Sequence, residues 1–202
     1  MKKFLLTAVL AVIGFTASAQ LVQSTSINVR RESNTMWYLR AGISINGVTD
    51  WDSSSSAIGE DIVIGFHKSI GESGTYWGQE FGFGTRGCKS DYLPEWNANY
   101  DESLTMMSHV IKYSPFNFGY KYAITEDLKL DGHLGVYASY DIAKSGDLDD
   151  EGGWENDFDI GMNVGIGTWY KKFNFDFSYQ RGFVPSYDCN FTAFLIRVGF
   201  AF

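Results

Sequence analysis

The chain has 202 residues, a net charge of −8, 22 glycines and an aromatic share of 17%. That acidic balance lacks the basic footprint of a nucleic-acid binder, and after Phe15 no apolar run reaches the ~20 residues a membrane helix needs. A soluble β-protein and a membrane β-barrel remain.

The N-terminus reads as an export signal. Lys2 and Lys3 precede an apolar run from Phe4 to Phe15, and Ala17-Ser18-Ala19 supplies small residues for cleavage before Gln20. Residues 1–19 are therefore expected to be a signal peptide. Gln20 to Thr35 is polar, carries Arg30 and Arg31 and shows no clean period, as expected for a periplasmic N-terminal extension. From Met36 to Phe202 the chain breaks into segments that alternate apolar and polar residues, so one face of each meets an apolar phase and the other a polar one.

Eight such segments follow in order. In the first, Trp37, Leu39, Ala41, Ile43 and Ile45 oppose Tyr38, Arg40, Ser44 and Asn46. The second sets Ile62, Ile64 and Phe66 against Gly65 and His67. The third sets Trp77, Phe81 and Phe83 against Glu80 and Arg86. In the fourth, Phe116, Phe118, Tyr120 and Tyr122 oppose Asn117 and Lys121. Ile111 and Tyr113 have the other parity there, so Pro115 predicts a bulge. The fifth runs from Leu128 to Ile142, with Lys129, Asp131, His133, Tyr137, Ser139 and Asp141 on its polar face. The sixth opposes Ile160, Met162, Val164 and Ile166 to Asp159 and Asn163. The seventh opposes Phe173, Phe175, Phe177 and Tyr179 to Asn174, Asp176, Ser178 and Gln180. The eighth opposes Phe194, Ile196, Val198, Phe200 and Phe202 to Arg197.

The connections alternate in length. Short turns lie at Gly71 to Thr75, Thr125 to Asp127 and Lys171-Lys172. Longer polar stretches lie at Thr49 to Glu60, Lys89 to Met107, Ala143 to Asp157 and Pro185 to Asn190. Short periplasmic turns and long outer loops are the habit of membrane barrels. Hydrocarbon leaves no partner for an open strand edge, so the strands must close on themselves. The expected fold is all-β: an eight-stranded antiparallel up-and-down transmembrane β-barrel. Its lumen face carries Arg40, Glu80, Arg86, Lys121, Asp131, Asp159, Asp176 and Arg197, of both signs. Eight strands leave an interior just wide enough for side chains to fill. The expectation is an ion-paired, largely plugged core.

The last segment, Phe194 to Phe202, is aromatic, alternating and ends in Phe. From Met36 to Phe202 the chain resembles the small outer-membrane β-barrel families, porin-like and OmpA/OmpX-type. The resemblance makes Phe200 and Phe202 part of a C-terminal signal read by the barrel-assembly machinery. It implies an outer-membrane location, lipid and lipopolysaccharide as surroundings, and a monomer. Such families include adhesins, envelope-integrity proteins, small-solute pores and lipid-modifying enzymes, so fold does not fix function.

Three constellations invite chemistry. His133 shares the lumen face with Asp131 and Ser139, but residues two apart on a strand are aligned rather than converged, and a triad is defined by geometry. A lumen hydrogen-bond network is the simpler expectation. Asp147 to Gly152 partly matches a calcium loop but has Phe158 where a bidentate acid belongs, so an exposed acidic loop is favoured over a metal site. Tyr92, Trp96 and Tyr100 lie in an outer loop. They suit either a partner contact or an aromatic girdle at the lipid headgroups, the girdle being slightly preferred. Cys88 and Cys189, the two cysteines, extrapolate to the lumen near the outer mouth; a disulfide and two free thiols both stay open. No cofactor is expected. The favoured function is a non-enzymatic surface barrel with a structural or interaction role, with a narrow solute channel second and a lipid-modifying enzyme third.

Overall fold

The structure, a computed structural model, describes residues 34–52, 54–90, 104–146 and 154–202. The signal-peptide and N-terminal-extension readings fall outside them up to residue 33, as do the aromatic loop with Tyr92, Trp96 and Tyr100 and the acidic loop from Asp147.

Alternation at period two produces long strands: β1 (Thr35–Val48), β2 (Ala57–Ser69), β3 (Thr75–Ser90), β4 (Leu104–Ala123), β5 (Leu128–Gly146), β6 (Phe158–Tyr170), β7 (Phe173–Gly182) and β8 (Phe191–Ala201). Each pairs antiparallel with its sequence neighbours, and β8 returns to β1 from Tyr38↔Ala201 to Val48↔Phe191, which closes the barrel. A two-residue segment, Ser54–Ser55, pairs onto the outer end of β3. β2 begins at Ala57, inside the stretch read from sequence as a loop up to Glu60.

Two irregularities have visible causes. The β4–β5 ladder slips between Tyr113 and Phe116, where Pro115 has no N–H to donate. The β3–β4 ladder slips between Gly78 and Glu80 opposite the same proline. The bulge switches the parity of β4, so Val110, Lys112 and Ser114 are buried on one side of it and Asn117 on the other.

The polarity is inverted relative to a soluble barrel. Arg40 and Arg197 are 1% exposed and Asp61 and Asp176 fully buried, while Leu134 is 61% and Ile166 68% exposed. Every strand contributes to this apolar wall, from Trp37 and Ile43 on β1 round to Phe194 and Val198 on β8. A soluble monomer rarely exposes a contiguous apolar patch beyond a few hundred Å². A wall apolar all round is suited to hydrocarbon.

Inside, glycines make room for tyrosines. Tyr38 stands directly opposite Gly65, Tyr76 opposite Gly119, and Tyr137 opposite Gly161. A Cβ on Gly119 would lie 2.3 Å from the Tyr76 ring, and one on Gly161 2.6 Å from the Tyr137 ring. The bare strand lets each ring lie across it and deliver its hydroxyl to an acid beyond: Tyr38 to Glu80 at 2.8 Å, Tyr76 to Asp131 at 2.8 Å, Tyr137 to Asp159 at 3.1 Å. Gly119→Ala is expected to destabilise the barrel by about 1–3 kcal/mol through overpacking. The check is the urea midpoint of the detergent-folded protein; an unchanged midpoint would contradict the steric role.

Candidate functional site: the lumen

The lumen is built in layers. At the short-turn end, Lys121 Nζ lies 4.8 Å from the Tyr76 ring centre and 4.7 Å from that of Trp169. His67 stacks on Tyr76 at 3.9 Å, and Tyr38 meets Trp169 edge-on at 5.9 Å, giving an aromatic floor. Arg40 caps it from the other side, 4.5 Å from the Tyr38 ring. Asp131 accepts hydrogen bonds from Tyr76 and from Trp169 Nε1, the latter at 2.9 Å.

Above the floor lies the charged layer. Arg197 donates twice to Asp176 Oδ1, at 2.6 and 2.9 Å, and reaches Asp61 at 3.3 Å and Glu80 at 3.8 Å. Arg40 pairs with Glu80 at 2.9 Å and approaches Asp176 at 3.7 Å. Lys112 closes the set by pairing with Asp61. Three carboxylates and three cations, from β1, β2, β3, β4, β7 and β8, thus neutralise one another across the barrel axis. Such charges are tolerated in a dry interior only when paired and hydrogen-bonded.

Toward the long-loop end, Arg86 pairs with Asp141 at 2.7 Å, donates to the Asn156 carbonyl at 2.6 Å and lies 4.4 Å from the Phe191 ring. Asp159 accepts from Tyr137 and from the Val184 amide. Asn46, Thr85, Arg86, Lys112, Tyr137 and Asp159 help to line a cavity of ≈ 20 Å³, about room for one water. Over it sits an apolar plug of Cys88, Trp154 and Phe191, joined by Val48, Trp51 and Met106. Glu155 and Asn156 hold this end to residues 185–186 through bonds of 2.9 and 2.7 Å.

Of the residues singled out from sequence, Arg40, Glu80, Asp176 and Arg197 meet in one cluster. Arg86 and Asp159 lie nearer the plug, and Lys121 and Asp131 belong to the floor. Cys88 and Cys189 are both buried and both free thiols. Phe200 and Phe202 are exposed. Asp61 and Lys112 were missed from sequence. Asp61 precedes by one residue the segment first read as β2, and Lys112 has the switched parity beyond Pro115.

The alignment of His133 with Asp131 and Ser139 does not become a triad. Asp131 is bound to the aromatic floor and Ser139 lines the small cavity. His133 Nε2 faces Ser178 Oγ at 3.4 Å and Asp176 Oδ2 at 3.5 Å, both on the same nitrogen, and Ser178 donates to Asp176 instead. A base and its orienting acid need opposite ring nitrogens. Among the described residues, no group of three or more His, Cys, Asp or Glu is placed to hold a metal ion.

A closed eight-stranded meander with charges inside and hydrocarbon side chains outside decides the architecture. The fold is a closed, eight-stranded, all-antiparallel up-and-down β-barrel. Among solved structures the chain is similar to Neisserial surface protein A, at 15% identity over 84% of this chain and 98% of that one, with a TM-score of 0.49. It is similar to Ail, the attachment invasion locus protein of Yersinia pestis, solved with the heparin analogue sucrose octasulfate. There the identity is 16% over 83% of this chain and 99% of that one, with a TM-score of 0.46. The N-terminal β-barrel domain of Pseudomonas aeruginosa OprF matches at 11% identity, covering 84% and 98%, with a TM-score of 0.43. No family model matches the sequence, and no curated protein does. At these identities and TM-scores nothing of those proteins' roles is carried over to this chain.

Proposed function

We propose that the protein is exported, cleaved after Ala19 and inserted in a Gram-negative outer membrane as a monomeric, non-conducting barrel. Its role is structural or recognitive rather than enzymatic, and its long loops form the working surface. The observation that carries this reading is the neutral six-residue ion network of Arg40, Asp61, Glu80, Lys112, Asp176 and Arg197, which spans the lumen between an aromatic floor and an apolar plug. An ion entering would have to displace paired charges from a site without bulk water.

The short turns and Thr35 lie at one end of the barrel, which suits a periplasmic face, with the long connections outside. The alternating β8, with exposed Phe194 and Phe200 and with Phe202 just beyond it, supports engagement by the barrel-assembly machinery. Lipid and lipopolysaccharide are the neighbours proposed for the apolar wall and its outer rim. Reconstitution into a planar bilayer tests the reading. The expected result is no steady current above the lipid background; reproducible ohmic steps from the pure protein would overturn it in favour of a narrow channel.

A further inference from the structure

Cys88 and Cys189 are 0% and 6% exposed, at the long-loop end of the barrel. Cys88 is on β3, whose wall neighbours are β2 and β4. Cys189 ends the connection into β8, whose neighbours are β1 and β7. A link between them would therefore cross the mouth and not merely tie adjacent strands. Cys88 belongs to the plug. It packs with Phe191 and Trp154, and Phe191 follows Cys189 by two residues.

The segment carrying Cys189 is a tight turn held by two backbone bonds, Ser186 N to Cys189 O at 2.8 Å and Cys189 N to Ser186 O at 3.0 Å. Its two central residues, Tyr187 and Asp188, have φ of 50° and 63°, a left-handed conformation that favours glycine or asparagine. A strained turn outside the barrel strands can shift at lower cost than the wall. Cysteine also serves as a small apolar filler, and that alone would explain one buried thiol in the plug. It does not explain why the chain's second cysteine is also buried, two residues before the plug's Phe191.

We propose that Cys88 and Cys189 form an intramolecular disulfide that staples the 183–190 connection across the mouth, the structure representing the dithiol state. The oxidant is a small-molecule or protein disulfide. One thiolate attacks it and expels a thiol, and the second thiolate resolves the mixed disulfide. The outcome is one new S–S bond in the protein and two thiols on the reduced oxidant. Export, argued above, supplies the oxidising compartment.

The test uses the full mature chain, folded in detergent and exposed to oxidised glutathione, then alkylated in denaturant and mapped by mass spectrometry. The expected result is loss of alkylation at both positions, a linked Cys88–Cys189 peptide, and a faster-migrating species on non-reducing gels. That species should vanish with reductant and in Cys88→Ser and Cys189→Ser. Full alkylation of both thiols, stable glutathione adducts alone, or links solely between chains would overturn the proposal. Because the wild-type chain is read directly, folding of the variants does not decide it. A protein that links in this assay but fractionates with the cytoplasm would refute the export reading and leave the thiol geometry standing.

Discussion

Arg197→Ala is expected to destabilise the folded barrel by about 3–5 kcal/mol, the usual loss when one partner of a buried ion pair is removed. Arg197 is the hub of the charged layer, touching Asp176, Asp61 and Glu80 within one guanidinium fork. Its removal leaves three buried carboxylates with Arg40 and Lys112 as the lysine and arginine partners that remain. Lysine is a poor substitute, because a compact ammonium cannot reproduce the planar fork that also donates to Ser178 at 3.0 Å. The double variant Arg197→Met with Asp176→Leu removes one charge of each sign, leaving two acids and two cations. It should recover much of the loss, since an apolar pair replaces a buried ion pair at little cost. Urea titration of the protein folded in lipid bilayers reads both variants. A loss below about 1 kcal/mol for Arg197→Ala would mean that the carboxylates find water, and the sealed lumen would be wrong.

Leu134→Arg makes the complementary prediction for the outer wall. Leu134 lies a third of the way along β5 from its short-turn end, between Phe118 of β4 and Val164 of β6 in register, with both of those also exposed. An arginine on the lipid face costs about 2–4 kcal/mol near the bilayer midplane. On a water-facing wall the same change falls within about 0.5 kcal/mol. The expected result is a marked drop in folding yield and urea midpoint in liposomes. An unaffected variant would place Leu134 in water and contradict the inverted polarity.

The strands were legible because period-two alternation survives local irregularity. β5 shows this from Leu128 to Ile142, although the strand runs on to Gly146 through residues read as loop, and Pro115 announced the parity switch in β4 that the structure places between Tyr113 and Phe116. The alternating connection lengths carried the topology. What sequence could not supply is which lumen side chains meet, because that depends on stagger and on reach across the barrel. Lys121 and Asp131 are opposite one another in register, yet Asp131 is taken by Tyr76 and Trp169 and Lys121 by their rings. Arg86 turns toward the Asn156 carbonyl and Asp141 instead of joining the central cluster. Asp61 was lost because the second segment was read from Ile62, five residues after the strand begins at Ala57. The tyrosine–glycine pairs were legible in principle, since lumen-facing glycines recur on β2, β4 and β6, but their partners emerge only from register.

The most direct measurement of the inverted barrel is refolding from urea with and without lipid. Mature protein diluted into preformed liposomes should float with them after an alkaline wash, and run as a compact band until boiled. In buffer alone it should aggregate, because the exposed wall has no solvent to match it. A chain that folded to the same β-structure as a dispersed monomer in plain buffer would show that its outer face belongs to water.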